Sequence, residues 1–446
     1  MCSRLHDMRR PGRAWLPPAC AIACLLLAGG LRAAGEEEND MTIEVRHPDR
    51  EAYDQIDPAI TPLARGHAVP SRPAAMGNAY YRHHGNTLQN GRVDVGLPVG
   101  EWELAWSAEL HPGYAPRAVL ASEDRLLVEG EVWELFDTEG ARVADGKNGA
   151  GSITMDPDGA SFYHISESGS VIERDLAQGA ERARILPFLG QAFARPLIAR
   201  LENRLLLVGN ERQLDPQGRK RARRSLIEWI ERREPERRTG SGLLLTAANA
   251  GTLILPSPGL LAASDGETVV AAGDGRLYIS NGPGALEGVY SGDFEAVALS
   301  LGGNGWVYLA IRQDEVLRLW CITMSGQIAA EYTLPETARR VIAPPLVGHD
   351  GRIYLAAPGR LIALTSEGAP LWECPVSGLL IGAACANGGR IAIVTESAAG
   401  IVSPDGRLDV IGEAGRDPFC TGPAITPEGE IAVATRRALR IHRPAP

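Results

Sequence analysis

Aromatic side chains are scarce in this sequence, at 5% of 446 residues against 44% hydrophobic overall, so a large core has to be mostly aliphatic. Cysteine is scarcer still, with 7 residues and no paired C-x-x-C spacing, which argues against the common structural zinc patterns. There is no excess of positive charge. The formal net charge is −10, so the basic footprint of a nucleic-acid-binding protein is missing. A spanning helix is also missing. The apolar stretch Leu16–Leu31 holds roughly 16 residues, is interrupted by Pro17 and Pro18, and falls short of the ~20 that a bilayer requires. What the chain has in quantity is Gly (51) and Pro (31), the punctuation of a turn-rich all-β protein.

The first 35 residues are built differently from the rest. Arg4, Arg9, Arg10 and Arg13 precede the apolar stretch, and "RAAG" and then "EEEND" follow it. Basic, apolar, small and polar residues in that order are the build of a secretory signal, with cleavage expected near Ala33 to Gly35. Cys24 in "AIAC" makes lipid anchoring the alternative, although "LLLAGGL" after it would leave apolar sequence on the mature chain. Losing five Arg and one Asp with residues 1–35 takes the net charge from −10 to −14. The expected product is an acidic, exported protein of the periplasm or the extracellular space, monomeric and without a membrane span. Residues 36–76 carry Glu36, Glu37, Glu38, Asp40 and five prolines, and read as a flexible tether. Cys321, Cys374, Cys385 and Cys420 remain in the mature chain, either paired or as isolated buried thiols.

From residue 77 onwards the chain repeats. Segments such as "AVLASEDRLLVEG", "PPLVGHDGRIYLAA" and "PAITPEGEIAVAT" share a turn followed by a short apolar run. Aligned on the residue after the turn, the units fall at Arg125, Ala160, Arg204, Glu267, Trp306, Arg352, Arg390 and Glu430, in steps of 35, 44, 63, 39, 46, 38 and 40. Six of the seven steps lie near 40, the period of a propeller blade. A lone four-stranded sheet with two apolar faces cannot bury them, whereas a ring of such sheets covers each face with a neighbour. The expected fold is therefore all-β: an eight-bladed β-propeller of four-stranded antiparallel blades over residues 77–446.

The last unit, from "PAITPEG" to "RALRIHR", supplies only three strands. Residues 101–110, "EWELAWSAEL", are unassigned and carry Trp102, Leu104 and Trp106, so this segment is expected to pair with the last blade and close the ring. The 63-residue step marks an insertion at about 211–240 with ten Arg or Lys between Arg212 and Arg238. It reads either as a short amphipathic helix through Leu226, Ile227 and Ile230 or as a strand "RSLIEWIE" entered through a basic loop. Arg219, Lys220, Arg221, Arg223, Arg224 and Trp229 form the candidate interaction patch for an anionic partner, surface or headgroup. A solvated loop offset by Glu228, Glu231, Glu234 and Glu236 is the plain alternative.

"GRLIALTSEGAPLWE" (359–373), and more loosely "EVWELFDTEGARV" (131–143), resemble the strand, turn, Gly and Trp signature of the pyrroloquinoline-quinone-like (quinoprotein-like) propeller family. Residues 80–106 resemble the segment that leads into that family's ring. One branch of the family holds the quinone and a calcium ion in a central funnel with an adjacent Cys-Cys pair, a Trp floor and Glu, Asn and Asp ligands. This chain has no adjacent cysteines, and no such ligand set aligns with it. The other branch is non-catalytic and acts through loops on one face of the ring. The resemblance thus implies an exported, non-enzymatic scaffold binding a protein or another envelope component, with a quinone-dependent oxidoreductase as the alternative. No catalytic or metal-binding residue is assigned. His83 and His84 are adjacent and point to opposite sides of any strand; His164 and His349 sit in or beside blade strands, and "DPDG" (156–159) reads as a turn.

Overall fold

A computed structural model describes residues 91–446 apart from 150–152, 157–159, 167–169, 186–192, 202–203, 215–219, 232–243, 246–247, 256–260, 265–268, 274, 281–286, 303–304, 336–340 and 342. For the strand residues 185, 193–269, 280 and 287 it describes the backbone alone. The expected signal (1–35), the tether (36–76) and His83 and His84 lie outside the described residues.

The described chain is all-β. Its strands form eight sheets, each with four antiparallel strands side by side, in chain order in all but the last. Sheet 1 spans Ala118–Lys147, sheet 2 Thr154–Ile185, sheet 3 Phe193–Leu255 and sheet 4 Leu261–Ser291. Sheet 5 spans Glu295–Thr333, sheet 6 Leu346–Pro375 and sheet 7 Leu380–Glu413. Sheet 8 runs from Ala424 to Pro444 and takes its fourth strand from β2 (Trp102–Glu109). A further strand, β1 (Arg92–Gly96), lies parallel along the first strand of sheet 7, and Leu244–Leu245 lies parallel along the fourth strand of sheet 2.

Sheet 6 illustrates why the pattern packs this way. Its second strand reads Ile353, Tyr354, Leu355, Ala356, Ala357, all buried. Successive side chains leave a strand on opposite faces. Ile353, Leu355 and Ala357 join a core with Tyr308, Leu319 and Cys321 of sheet 5. Tyr354 and Ala356 join another with Ala383, Ile391 and Ile393 of sheet 7. Burial on both faces is what turns the usual apolar–polar alternation into a continuous apolar run. Each fully buried Leu or Ile contributes about 1.5–3 kcal/mol. Equivalent cores join sheets 1 and 2, sheets 4 and 5, and sheets 7 and 8, and the last of these continues into Val119, Val128 and Phe136 of sheet 1.

Tryptophans tie neighbouring sheets at their outer strands. Trp372 of sheet 6 donates its indole N–H to the Pro404 carbonyl in the last turn of sheet 7, at 3.0 Å. Trp106 of β2 donates to the Thr138 carbonyl in the matching turn of sheet 1, at 2.9 Å. Both indoles lie flat on a turn glycine. Gly406 and Gly140 have φ of +87° and +89°, and a Cβ there would stand 2.9 Å and 2.8 Å from the ring. Only glycine meets both demands.

Two features depart from the expectations. Of the two readings of the basic segment, the strand "RSLIEWIE" holds and the helix does not, but the strand starts four residues earlier, in the part expected as a basic loop: Lys220–Glu231 is one strand, paired with Arg204–Leu214 and Ala248–Leu255. The lead-in segment also contributes β1, a parallel strand with no counterpart in the repeat.

Candidate functional site

β2 runs antiparallel to the last strand, with Trp102 opposite Pro444, Leu104 opposite His442 and Trp106 opposite Ile441. Glu103 and Arg443 form an ion pair at 2.9 Å across the pair of strands, and Ala445 N donates to Glu101 O at 2.8 Å. Trp106 is turned towards sheet 1, while Leu104 is 51% exposed on the outer surface.

Within each sheet the strands alternate in direction. The turn between the second and third strands therefore falls at the same end as the connector leaving the fourth. At that end of sheet 3 the second and third strands outrun their neighbours. The first strand begins pairing at Phe193 with Glu211, and the fourth at Leu255 with Ser225. Residues 212–214 and 220–222 pair only with each other, as a two-stranded ribbon beyond the sheet. Lys220 and Arg221 are on it, Arg223 sits in the bulge at its base without an opposite residue, and Arg224 follows opposite Glu211. Trp229 is not with them. It lies in the four-stranded part, between Leu206 and Gly251, about 17 Å along the strand from Arg224 at 3.3 Å per residue. Arg219 lies outside the described residues.

The same end of sheet 8 carries a cleft of about 650 Å³ lined by Glu109, Leu110, Pro112, Gly113, Tyr114, Ala115, Arg436 and Arg437. One wall is the connector from β2 to sheet 1; the other is the turn Thr435–Ala438. Leu110 N donates to Arg437 O at 2.7 Å and holds the walls together. The buried Thr435 hydroxyl accepts from Arg437 N at 3.2 Å and Ala438 N at 2.9 Å, which fixes the turn. Arg436 and Arg437 are exposed, as is Tyr114, whose ring meets His111 edge-on at 6.2 Å.

The other candidate residues have structural surroundings. His164 is buried, accepts from Arg174 Nε at 2.9 Å, and is pushed down to about 3, by burial first and then by the Arg174 charge. His349 Nε2 lies 2.9 Å from Asp94 Oδ1 and 3.1 Å from Arg92 Nε, and so fastens β1 to the first turn of sheet 6. His442, buried beside Gly412 and Phe419, is pushed down to about 4 by burial and then by Arg440. Cys321, Cys374, Cys385 and Cys420 are all free thiols, and burial pushes Cys385 up to about 12. Among the described residues no three His, Cys, Asp or Glu side chains are grouped to hold a metal ion. Sequence reasoning overlooked Arg436 and Arg437. Their signal was present as "TRRA", a turn whose counterpart in the preceding unit reads "TESA".

No protein-family model matches the chain, and no curated protein matches it. Solved structures do. The computationally designed Ika8 protein is 11% identical over 75% of this chain and 98% of its own, with a TM-score of 0.55. Sqt1 from Saccharomyces cerevisiae is 8% identical over 78% of this chain and 100% of its own, with a TM-score of 0.56. BamB from Moraxella catarrhalis is 13% identical over 77% of this chain and 97% of its own, with a TM-score of 0.47. Together with the repeated four-stranded sheets, the match to Sqt1, a WD40 propeller, gives the chain the β-propeller fold.

Proposed function

We propose that the chain is an exported, non-enzymatic propeller of the pyrroloquinoline-quinone-like kind, with eight blades and a ring closed by β2, that serves as a protein-interaction scaffold in the periplasm or outside the cell. Eight sheets and the pairing of β2 with the last strand support the closed ring. The observation that carries the functional reading is the ribbon of sheet 3. In a propeller the ends that bear the second-to-third turns form one face, so the ribbon stands out from that face. Between Glu211 and Arg224 it concentrates six cations against two anions in a chain of net charge −10. A local charge opposite to the rest of the surface steers and orients an acidic partner.

The test places a photo-crosslinking amino acid at Gln213 on the ribbon and, separately, at Glu139 in the opposite-end turn of sheet 1, in cells expressing the full chain. A discrete adduct from Gln213 that is absent from Glu139 and lost in R221E/R223E/R224E is expected. Equal adducts from both positions, or none, would overturn the scaffold reading. The purified chain is also mixed with pyrroloquinoline quinone, calcium and a redox dye; dye reduction would make it a quinone-dependent oxidoreductase instead. Recovery of the chain in the cytoplasm, uncleaved, would overturn export.

A further inference from the structure

We propose that the cleft between the connector Leu110–Ala115 and the Arg436–Arg437 turn binds an acidic peptide segment of a protein partner, seating one carboxylate on the two guanidinium groups and an adjacent apolar side chain against Pro112 and Tyr114. The inference deepens the scaffold reading by adding a second contact of stated chemistry, separate from the ribbon.

The argument starts from an internal control. Sheet 7 builds the same turn from Thr395, Glu396, Ser397 and Ala398. Thr395 Oγ1 accepts from Ser397 N at 3.3 Å and from Ala398 N at 2.9 Å, and donates to Ala398 O at 3.1 Å. Thr435 repeats these contacts at 3.2, 2.9 and 3.2 Å. The clasp to the connector also repeats: Ala414 N donates to Ser397 O at 2.8 Å, as Leu110 N does to Arg437 O at 2.7 Å. Sheets 1, 4 and 6 use the same clasp, through the carbonyls of Glu131, Gly275 and Gly359. Glu, Gly and Ser all serve at this tip, so the backbone does not call for arginine. Neither Arg436 nor Arg437 makes a side-chain hydrogen bond or ion pair among the described residues. Two like charges thus stand side by side in sequence on a fixed turn, and no hydrogen bond or ion pair of their side chains accounts for them among the described residues.

The walls define the ligand. A guanidinium fork matches a carboxylate in two-point geometry. Leu110, Pro112 and Tyr114 supply an apolar wall, with Tyr114 40% exposed and available to cover a side chain. Glu109 also lines the cleft and lowers its net charge to about +1. That balance suits a single carboxylate and disfavours a phosphate dianion or an anionic bilayer.

The test pans the immobilised full chain against a random heptapeptide phage library and measures binding of the enriched peptides, fluorescein-labelled, by anisotropy. Peptides with Asp or Glu next to an apolar residue are expected, with affinity at least tenfold weaker for R436Q/R437Q and weaker for Y114S. R221E/R223E/R224E should leave it unchanged, so loss of the ribbon's partner and loss of this site are separable. Enrichment without acidic residues, no enrichment, or unchanged binding in a folded R436Q/R437Q chain would overturn the proposal. Competition by 10 mM inorganic phosphate, or Arg436-dependent binding to phosphatidylglycerol vesicles, would transfer the site to a phosphoryl ligand.

Discussion

Gly140 and Gly388 both have positive φ, but their surroundings differ. A Cβ at Gly140 would stand 2.8 Å from the Trp106 ring, while one at Gly388 meets nothing within 4 Å. Gly140→Ala is expected to cost about 1–3 kcal/mol through crowding and backbone strain together. Gly388→Ala should cost about 1 kcal/mol, the left-handed backbone penalty alone. Urea midpoints for the two variants check the difference. His164 and His442 set a pH dependence. In the unfolded chain an imidazole protonates near 6.5; in the fold the values fall to about 3 and about 4. Between these limits the unfolded state holds more protons. The stabilisation from keeping these rings neutral is complete above about pH 6.5 and is lost progressively as pH falls towards 4 and then 3. Stability measured from pH 7 to 4 should decline, and His442→Gln should remove up to one proton's worth of that slope.

At the scale of elements, β2 completes sheet 8. A chain beginning at His111 leaves the last strand as an unpaired edge, which templates association. Size-exclusion chromatography should show dimers or aggregates, and adding a synthetic Glu101–Leu110 peptide should restore the monomer. A truncated chain that stays monomeric without the peptide would mean that β2 is not needed. Much of this level was readable in advance. Arg125, Arg204 and Trp306 open the second strands of their sheets, and Ala160, Arg352, Arg390 and Glu430 each precede theirs by one residue. Turn chemistry and two-sided burial write themselves into every copy. β1 and Leu244–Leu245 were not readable, because they attach in parallel through backbone groups and carry no repeated side-chain signal. The strand "RSLIEWIE" was one of two readings, and its extension back to Lys220 was obscured by charges that resemble a loop until the pairing with Arg212–Leu214 is seen. Trp229 was grouped with the cations by proximity in sequence, and strand geometry separates them.

At the scale of the whole molecule, an acidic chain with one cationic ribbon should bind its partner with an affinity that falls steeply with salt. For R221E/R223E/R224E the salt dependence should flatten while the thermal midpoint stays put, as Arg221 and Arg223 lie beyond the four-stranded part and Arg224 at its margin. Calorimetry and binding isotherms at 50 and 300 mM NaCl check both. The site was less legible than the fold for a general reason. Packing imposes the same pattern on every unit, whereas a binding site of the kind proposed lies in the differences between units, such as Arg436–Arg437 against Glu396–Ser397.

The contact between Glu103 and Arg443 joins residues 340 positions apart. During synthesis β2 leaves the ribosome among the first parts of the domain and its partner strand among the last. The final sheet therefore cannot form until translation, and any passage through a translocon, is nearly finished. For that interval an aromatic strand with open hydrogen-bonding edges waits unaccompanied, and a holding chaperone would find its target there.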